Sequence, residues 1–78
     1  MKLLVRNLAR TTTEAELKTI FEEHGAVESC NLVLDQETGK SKGFAFVEMP
    51  DESEANTAIT ALNGTKIAKS KLRVKEAE

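Results

Sequence analysis

Two phenylalanines on one face of a predicted strand are the side chains best suited to bind a ligand in this 78-residue chain. Successive side chains on a strand point to opposite faces, so residues 42–49 separate into two sets. One set places Phe44 and Phe46 between Lys42 and Glu48, and the charges at its ends indicate that this face meets water. The other set is uncharged and comprises Gly43, Ala45, Val47 and Met49. Exposed rings of this kind provide a surface on which a flat apolar group can stack.

The distribution of charge predicts which parts of the chain could meet an anionic ligand. Lys and Arg total 11 and Asp and Glu total 13, which gives a net charge of −2. Residues 13–24 and 51–62 together carry −6 of this charge, so the rest of the chain carries +4. Its cations include Arg6, Lys40, Lys42, Lys66, Lys69, Lys71, Arg73 and Lys75. Acidic segments that only keep a small domain in solution are an alternative interpretation, but they do not explain the basic remainder.

The two acidic segments are predicted helices with recognisable starts. Thr13 and Glu16 have the spacing of a capping box, and Asp51 and Glu54 repeat it before the second apolar stripe. A glycine follows each stripe and marks the end of each helix.

Four segments alternate apolar and polar residues and are predicted strands: residues 2–6, 27–34, 42–49 and 71–75. The order βαββαβ predicts an α+β, ferredoxin-like sandwich, in which a four-stranded antiparallel sheet has both helices on one face. The side chains predicted to meet the helices are Leu3, Val5, Ala45, Val47, Leu72 and Val74. Those predicted on the open face are Leu4, Arg6, Phe44, Phe46, Arg73 and Lys75. Such a platform suits unpaired nucleic acid, because bases stack on rings and cations meet phosphates.

The remaining reactive side chains do not indicate catalysis. His24 is the only histidine and has no nucleophile or thiolate cluster beside it, which argues against an enzyme, a cofactor or a metal site. Cys30 is the only cysteine, so an internal disulfide is excluded. Its even spacing from Leu32 and Leu34, which share its side of the predicted strand, favours a buried position.

At these positions the chain resembles the RNA recognition motif family. Residues 42–48 fit the family's octamer K/R-G-F/Y-G/A-F-V-x-F/Y at every specified place, and only Met49 stands where an aromatic is usual. A second family signature looks like residues 3–8, with Leu4 where a base-stacking ring is usual. In this hexamer Asn7 either shapes the turn after the strand or touches the ligand. The resemblance spans residues 2–77 and extends to the stand-alone single-domain proteins of bacteria.

The resemblance implies one domain, residues 1–78, that binds single-stranded RNA or single-stranded DNA on the open face of the sheet. Bases would stack on the two phenylalanines, and flanking cations would contact phosphates. The implied RNA-binding residues are Leu4, Arg6, Lys42, Phe44, Phe46, Arg73 and Lys75. The missing ring at Leu4 predicts binding weaker by roughly 1–3 kcal/mol than in a fully aromatic member. We expect a monomer. We expect it in the cytoplasm and not at a membrane, because its single cysteine is interpreted as reduced and no segment has the length of a membrane span or a signal peptide.

A protein-interaction domain with the same fold is the alternative hypothesis. The overall acidity and the missing ring at Leu4 favour it, and the acidic helix faces or the sheet would then hold a protein partner. Protein-binding members of the family often carry an extra aromatic in the loop before the last strand. Residues 67–71 have none, so RNA is the favoured ligand.

Overall fold

The computed structural model of the chain describes residues 1–67 and 69–77. Its elements are β1 (Lys2–Arg6), α1 (Glu14–Glu22), β2 (Ser29–Leu34), β3 (Ser41–Glu48), α2 (Glu52–Leu62), β4 (Lys66–Ile67), β5 (Ser70–Lys71) and β6 (Arg73–Glu76). The predicted order is confirmed, with one addition. β4 and β5 pair as a small separate hairpin, so Lys71 belongs to β5 and the last strand of the main sheet begins at Arg73. Ala68 lies outside the described residues.

The main sheet has four antiparallel strands in the order β2-β3-β1-β6. β1 and β3 are therefore the central strands. Leu4 is the register partner of Phe46 on one side and of Lys75 on the other. This arrangement brings side chains that lie far apart in the sequence onto one surface.

One face of the sheet packs against the helices and forms the core. All six side chains predicted to meet the helices are buried there, together with Phe21 and Leu17 of α1. Met49 is fully buried as well, so its departure from the family octamer is a change within the core and not on the open face. Met49 therefore lies with Ala45 and Val47, the residues of its uncharged set, as alternation along residues 42–49 predicts.

Leu34 corrects the predicted pattern of β2. Cys30 is 9% exposed, as expected for the core side, whereas Leu34 is 50% exposed. Leu34 is the last residue of β2 and follows a register shift, since one residue separates Leu32 from Leu34 whereas three separate their partners on β3, Ala45 and Ser41. The extra residues form a bulge in β3, which interrupts the regular pairing beside the end of β2, so Leu34 lies beyond the regularly paired part of the sheet.

Gly43 lies within this bulge, and its backbone explains why the octamer has a glycine there. Its φ is +85°, a conformation that costs L-residues with a Cβ about 1–2 kcal/mol. A Cβ would lie 3.4 Å from the carbonyl oxygen of Leu8, which is an ordinary van der Waals contact, so the positive φ is the reason for the glycine. The Leu8 N–H donates to the Gly43 carbonyl oxygen at 2.8 Å, which connects β3 to the residues after β1.

The N-terminus of α1 has the complete predicted capping box, whereas the N-terminus of α2 has only one of its two hydrogen bonds. The Thr13 hydroxyl accepts from the Glu16 N–H at 3.2 Å, and the Glu16 carboxylate accepts from the Thr13 N–H at 3.3 Å. Asp51 accepts from the Glu54 N–H at 3.0 Å, but the Glu54 carboxylate accepts from the Ala26 N–H at 3.1 Å instead of returning to Asp51. Neither helix of the described chain is long and apolar enough to cross a membrane.

Candidate nucleic-acid interface

The sheet face opposite the helices carries side chains in rows that run across the strands. One row contains Asn31, Phe46, Leu4 and Lys75, each the register partner of the next. Two residues further along β1, Arg6 is the register partner of Arg73 on β6. Register and alternation therefore place five residues of the predicted site on one face of the sheet: Leu4, Arg6, Phe46, Arg73 and Lys75. The ring of Phe44 contacts that of Phe46, and Lys42 precedes the bulge near the start of β3.

The two phenylalanines of β3 present their rings at right angles. Their centroids are 6.2 Å apart and their planes meet at 90° in an edge-to-face contact. Both side chains are half-buried, so each keeps part of its ring exposed. Because one flat ligand cannot cover two perpendicular rings, this pair suits two separate planar groups.

Lys2 is a residue of this surface that the predicted site omits. Its Nζ lies 4.9 Å from the centroid of the Phe46 ring. A cation over an exposed ring is worth about 0.5–1 kcal/mol, whereas a base stacked on an aromatic side chain is worth about 1–3 kcal/mol. A stacking base would therefore displace the flexible Lys2 side chain. Alternation along β1 could have placed Lys2 on this face, because Lys2 lies two residues before Leu4.

The cations border two depressions that share Arg6 and Asn7. The first has a volume of about 570 Å³ and is lined by Arg6, Asn7, Asn63, Arg73, Val74 and Lys75. The second has a volume of about 260 Å³ and is lined by Arg6, Asn7, Leu8, Arg10, Lys42, Gly43 and Phe44. The structure thus brings Lys42 and Phe44 beside Arg6, and brings Arg73 and Lys75 to its other side. Phe46 and Leu4 border neither depression.

Asn7 has a structural role at the end of β1. Its φ is +60°, and asparagine tolerates this left-handed conformation better than most residues. Its Nδ2 donates to the Lys71 carbonyl oxygen at 2.7 Å, which joins the end of β1 to β5. The turn-shaping interpretation of Asn7 agrees with these contacts.

Two side chains near the sheet have shifted pKa values with clear causes. Burial raises the pKa of the Cys30 thiol to about 11, with a smaller contribution from the nearby Glu14 carboxylate. Hydrogen bonds from the backbone N–H groups of Glu37 and Thr38 lower the pKa of Asp35, and the positive charges of Lys42 and Arg10 add to this effect. The thiol is therefore neutral and unreactive at neutral pH. Within the described residues, no three His, Cys, Asp or Glu side chains are grouped to hold a metal ion.

Comparison with known proteins identifies relatives of this chain. The family described as RNA recognition motif matches residues 3–73. The chain is 42% identical over its full length to the "Putative RNA-binding protein RbpD" of Nostoc sp., and it covers 83% of that protein. Chloroplast ribonucleoproteins also match, and the chain spans 24% to 33% of their length.

Solved structures agree with these sequence relatives. The crystal structure of RNA binding protein PG1 superposes with a TM-score of 0.95 at 43% identity, covering 99% of this chain and 93% of that one. The Rna15 RRM with bound RNA (GU) superposes with a TM-score of 0.89 at 25% identity, covering 97% and 81%. Since the family match takes in β1 through the start of β6, with both helices and the octamer, the chain belongs to the RNA recognition motif family.

Proposed function

We propose that this chain is a binding module for single-stranded RNA, with residues 1–78 acting as one domain and the open sheet face as the binding surface. The observation that carries the proposal is the pair of half-exposed, perpendicular rings of Phe44 and Phe46 beside exposed cations. The RNA bound to the related Rna15 domain supports it. RNA-binding proteins of this kind bind and do not catalyse, so the chain is not an enzyme.

The residues of the proposed site have three kinds of role: stacking with bases, contact with phosphates and apolar contact. Two successive bases stack on Phe44 and Phe46, one on each ring, because the ring planes are perpendicular. The four cations of the site contact phosphates: Arg6, Lys42, Arg73 and Lys75. Leu4, in register between Phe46 and Lys75, offers apolar contact to a base but no ring.

The ligand class extends to single-stranded DNA. Stacking needs only the base, so a DNA strand of the same sequence should bind, and the 2′-hydroxyl decides how far RNA is preferred. Fluorescence anisotropy with matched RNA and DNA oligonucleotides measures this preference. A monomeric state, to be checked by sedimentation equilibrium, and a cytoplasmic location stay predictions.

Replacing Phe46 with alanine is the test of the proposed function. We expect Phe46→Ala to weaken binding of a short single-stranded RNA by about 1–3 kcal/mol, because one stacking surface is lost. Leu34→Ala is the matched control, since Leu34 is a half-exposed apolar residue outside the proposed site. Equal affinities for Phe46→Ala and the wild type, with both folded by circular dichroism, would contradict the proposal.

A protein partner on the acidic helices also stays a prediction. Glu16 and Glu22 of α1 are exposed, and α1 has no basic residue in its last turn. Glu22→Lys should then disrupt a protein complex without changing RNA affinity. Loss of RNA affinity in this variant would assign the helix face to RNA instead.

A further inference from the structure

Arg6 and Arg73 present like charges to one another across the β1–β6 pair. They are direct register partners, and both side chains are exposed on the open face. Like charges directly opposite one another destabilise an antiparallel strand pair. Of the described residues that line the depressions on either side of Arg6, none is a carboxylate. An anion between the two guanidinium groups would remove the repulsion.

The two depressions share Arg6 and Asn7 as lining residues, so they lie side by side at one end of the sheet. We call the pair of depressions the arginine trough, and its cations are Lys75, Arg73, Arg6, Arg10 and Lys42. Asp35 is close enough to Lys42 and Arg10 for their charges to lower its pKa, but its carboxylate already accepts two backbone hydrogen bonds, from Glu37 and Thr38. The five cations outnumber this carboxylate, so the trough keeps a net positive charge in the free protein.

The shape of the trough selects the kind of anion. Cations that follow one another along a groove suit a chain of negative charges better than a single ion. Guanidinium groups bind phosphate through two parallel hydrogen bonds, and three of the five cations are arginines. Phe44 borders the same trough, so a strand whose backbone lay in it could stack a base on this ring.

We propose that the sugar–phosphate backbone of the bound RNA lies in the arginine trough, with one phosphate held between Arg6 and Arg73 and a neighbouring phosphate held by Arg10 and Lys42. This inference rests on the proposed function and deepens it. It adds Arg10, which lies in the loop between β1 and α1, to the RNA-binding residues. It also moves the main electrostatic contact to the Phe44 end of the sheet, away from Leu4.

The salt dependence of RNA affinity tests the arginine trough. For single strands, the slope of log K against log salt concentration is about −0.7 for each phosphate neutralised. We expect Arg73→Gln and Arg10→Gln each to weaken binding of a ten-nucleotide uridine RNA and to make the slope shallower by about 0.7. Lys66→Gln is the control, because Lys66 is exposed on β4 and lines neither depression.

The outcomes separate the two proposals. Wild-type protein that fails to bind RNA overturns both. If Phe46→Ala weakens binding while Arg73→Gln and Arg10→Gln show the same salt-dependence slope as Lys66→Gln, the RNA function stands and the trough is overturned.

In the free protein, Arg73→Gln should have a melting temperature no lower than that of the wild type, because it removes a repulsion. A lower melting temperature would overturn the argument that the two arginines repel.

Discussion

Leu4 is the residue that most distinguishes the binding face of this chain from the pattern of its family. It is half-buried on the central strand, and its register partners are Phe46 and Lys75. An aliphatic side chain fills this place and shields the sheet, but it lacks the flat π-surface on which a base stacks. In the proposed function, the phenylalanines of β3 then provide most of the base contact.

A ring at this position should increase RNA affinity. We expect Leu4→Tyr to strengthen binding by about 1–3 kcal/mol, the usual effect of one aromatic–base stack. Leu34→Tyr adds the same ring at a half-exposed place outside the proposed site and should leave affinity unchanged. Isothermal titration with one RNA measures both variants. Equal gains from the two substitutions would show that a ring anywhere on the surface binds RNA.

At the scale of elements, the bulge of β3 connects the fold to the site. It separates Lys42 from the regular pairing of Phe46 with Asn31 and lets β3 meet Leu8 at the end of β1. Glu54 has a comparable role on the helix side, since its carboxylate joins the first turn of α2 to the loop after α1. Both connections depend on single residues whose partners are distant in the sequence.

Gly43→Ala should destabilise the protein more than Gly39→Ala. Both glycines have positive φ, +85° and +72°, so both substitutions carry a backbone strain of about 1–2 kcal/mol. Gly43 lies within strand β3, where its carbonyl oxygen accepts from the Leu8 N–H at 2.8 Å and the backbone is held in place, whereas Gly39 lies in the loop between β2 and β3 with open space around it. Urea denaturation measures the difference in unfolding free energy. Equal losses would mean that the bulge tolerates a Cβ.

The hydrogen bond between the Ala26 N–H and the Glu54 carboxylate predicts that a neutral glutamine can replace Glu54 with little loss of stability. Glu54→Ala removes the acceptor of the Ala26 N–H and should cost about 0.5–1.5 kcal/mol of unfolding free energy. Glu54→Gln keeps an oxygen at the same reach and should retain most of this stability. Glu52→Ala, an exposed acidic residue in the same first turn, is the control. A loss as large in Glu52→Ala would show that helix charge, and not the hydrogen bond, is responsible.

At the scale of the whole molecule, charge is separated between two surfaces. The segments that form α1 and α2 are acidic, whereas the exposed side chains of Arg6, Arg73 and Lys75 lie on the open face of the sheet. A chain with a net charge of −2 can therefore bind a polyanion, because the local potential of a surface and not the total charge governs association. The apolar core between the two surfaces contains Cys30.

The buried thiol predicts a loss of stability in alkali. Its pKa is about 11 in the folded chain against 9.0 for the free group, so the folded state holds the proton more tightly. This contribution is fully present below pH 9 and disappears as the pH rises through 11, a loss on the order of 2 kcal/mol. Chemical denaturation from pH 8 to pH 11 measures it, and Cys30→Ala should show a smaller decline. Parallel curves for the two proteins would contradict the shifted pKa.

The sequence alone determined the order of the elements, the two faces of β3 and the start of α1, because alternation and capping act between neighbouring residues. The capping pair of Thr13 and Glu16, and the octamer of residues 42–49, can be recognised without knowing any contact between distant residues. The tertiary structure alone decided the exposure of Leu34, the partner of Glu54, the hairpin of β4 and β5, and the position of Lys2 over Phe46. It also decided that Arg6 is the register partner of Arg73 and that Arg10 lines a depression with Arg6, since register and loop placement depend on contacts between residues far apart in the chain.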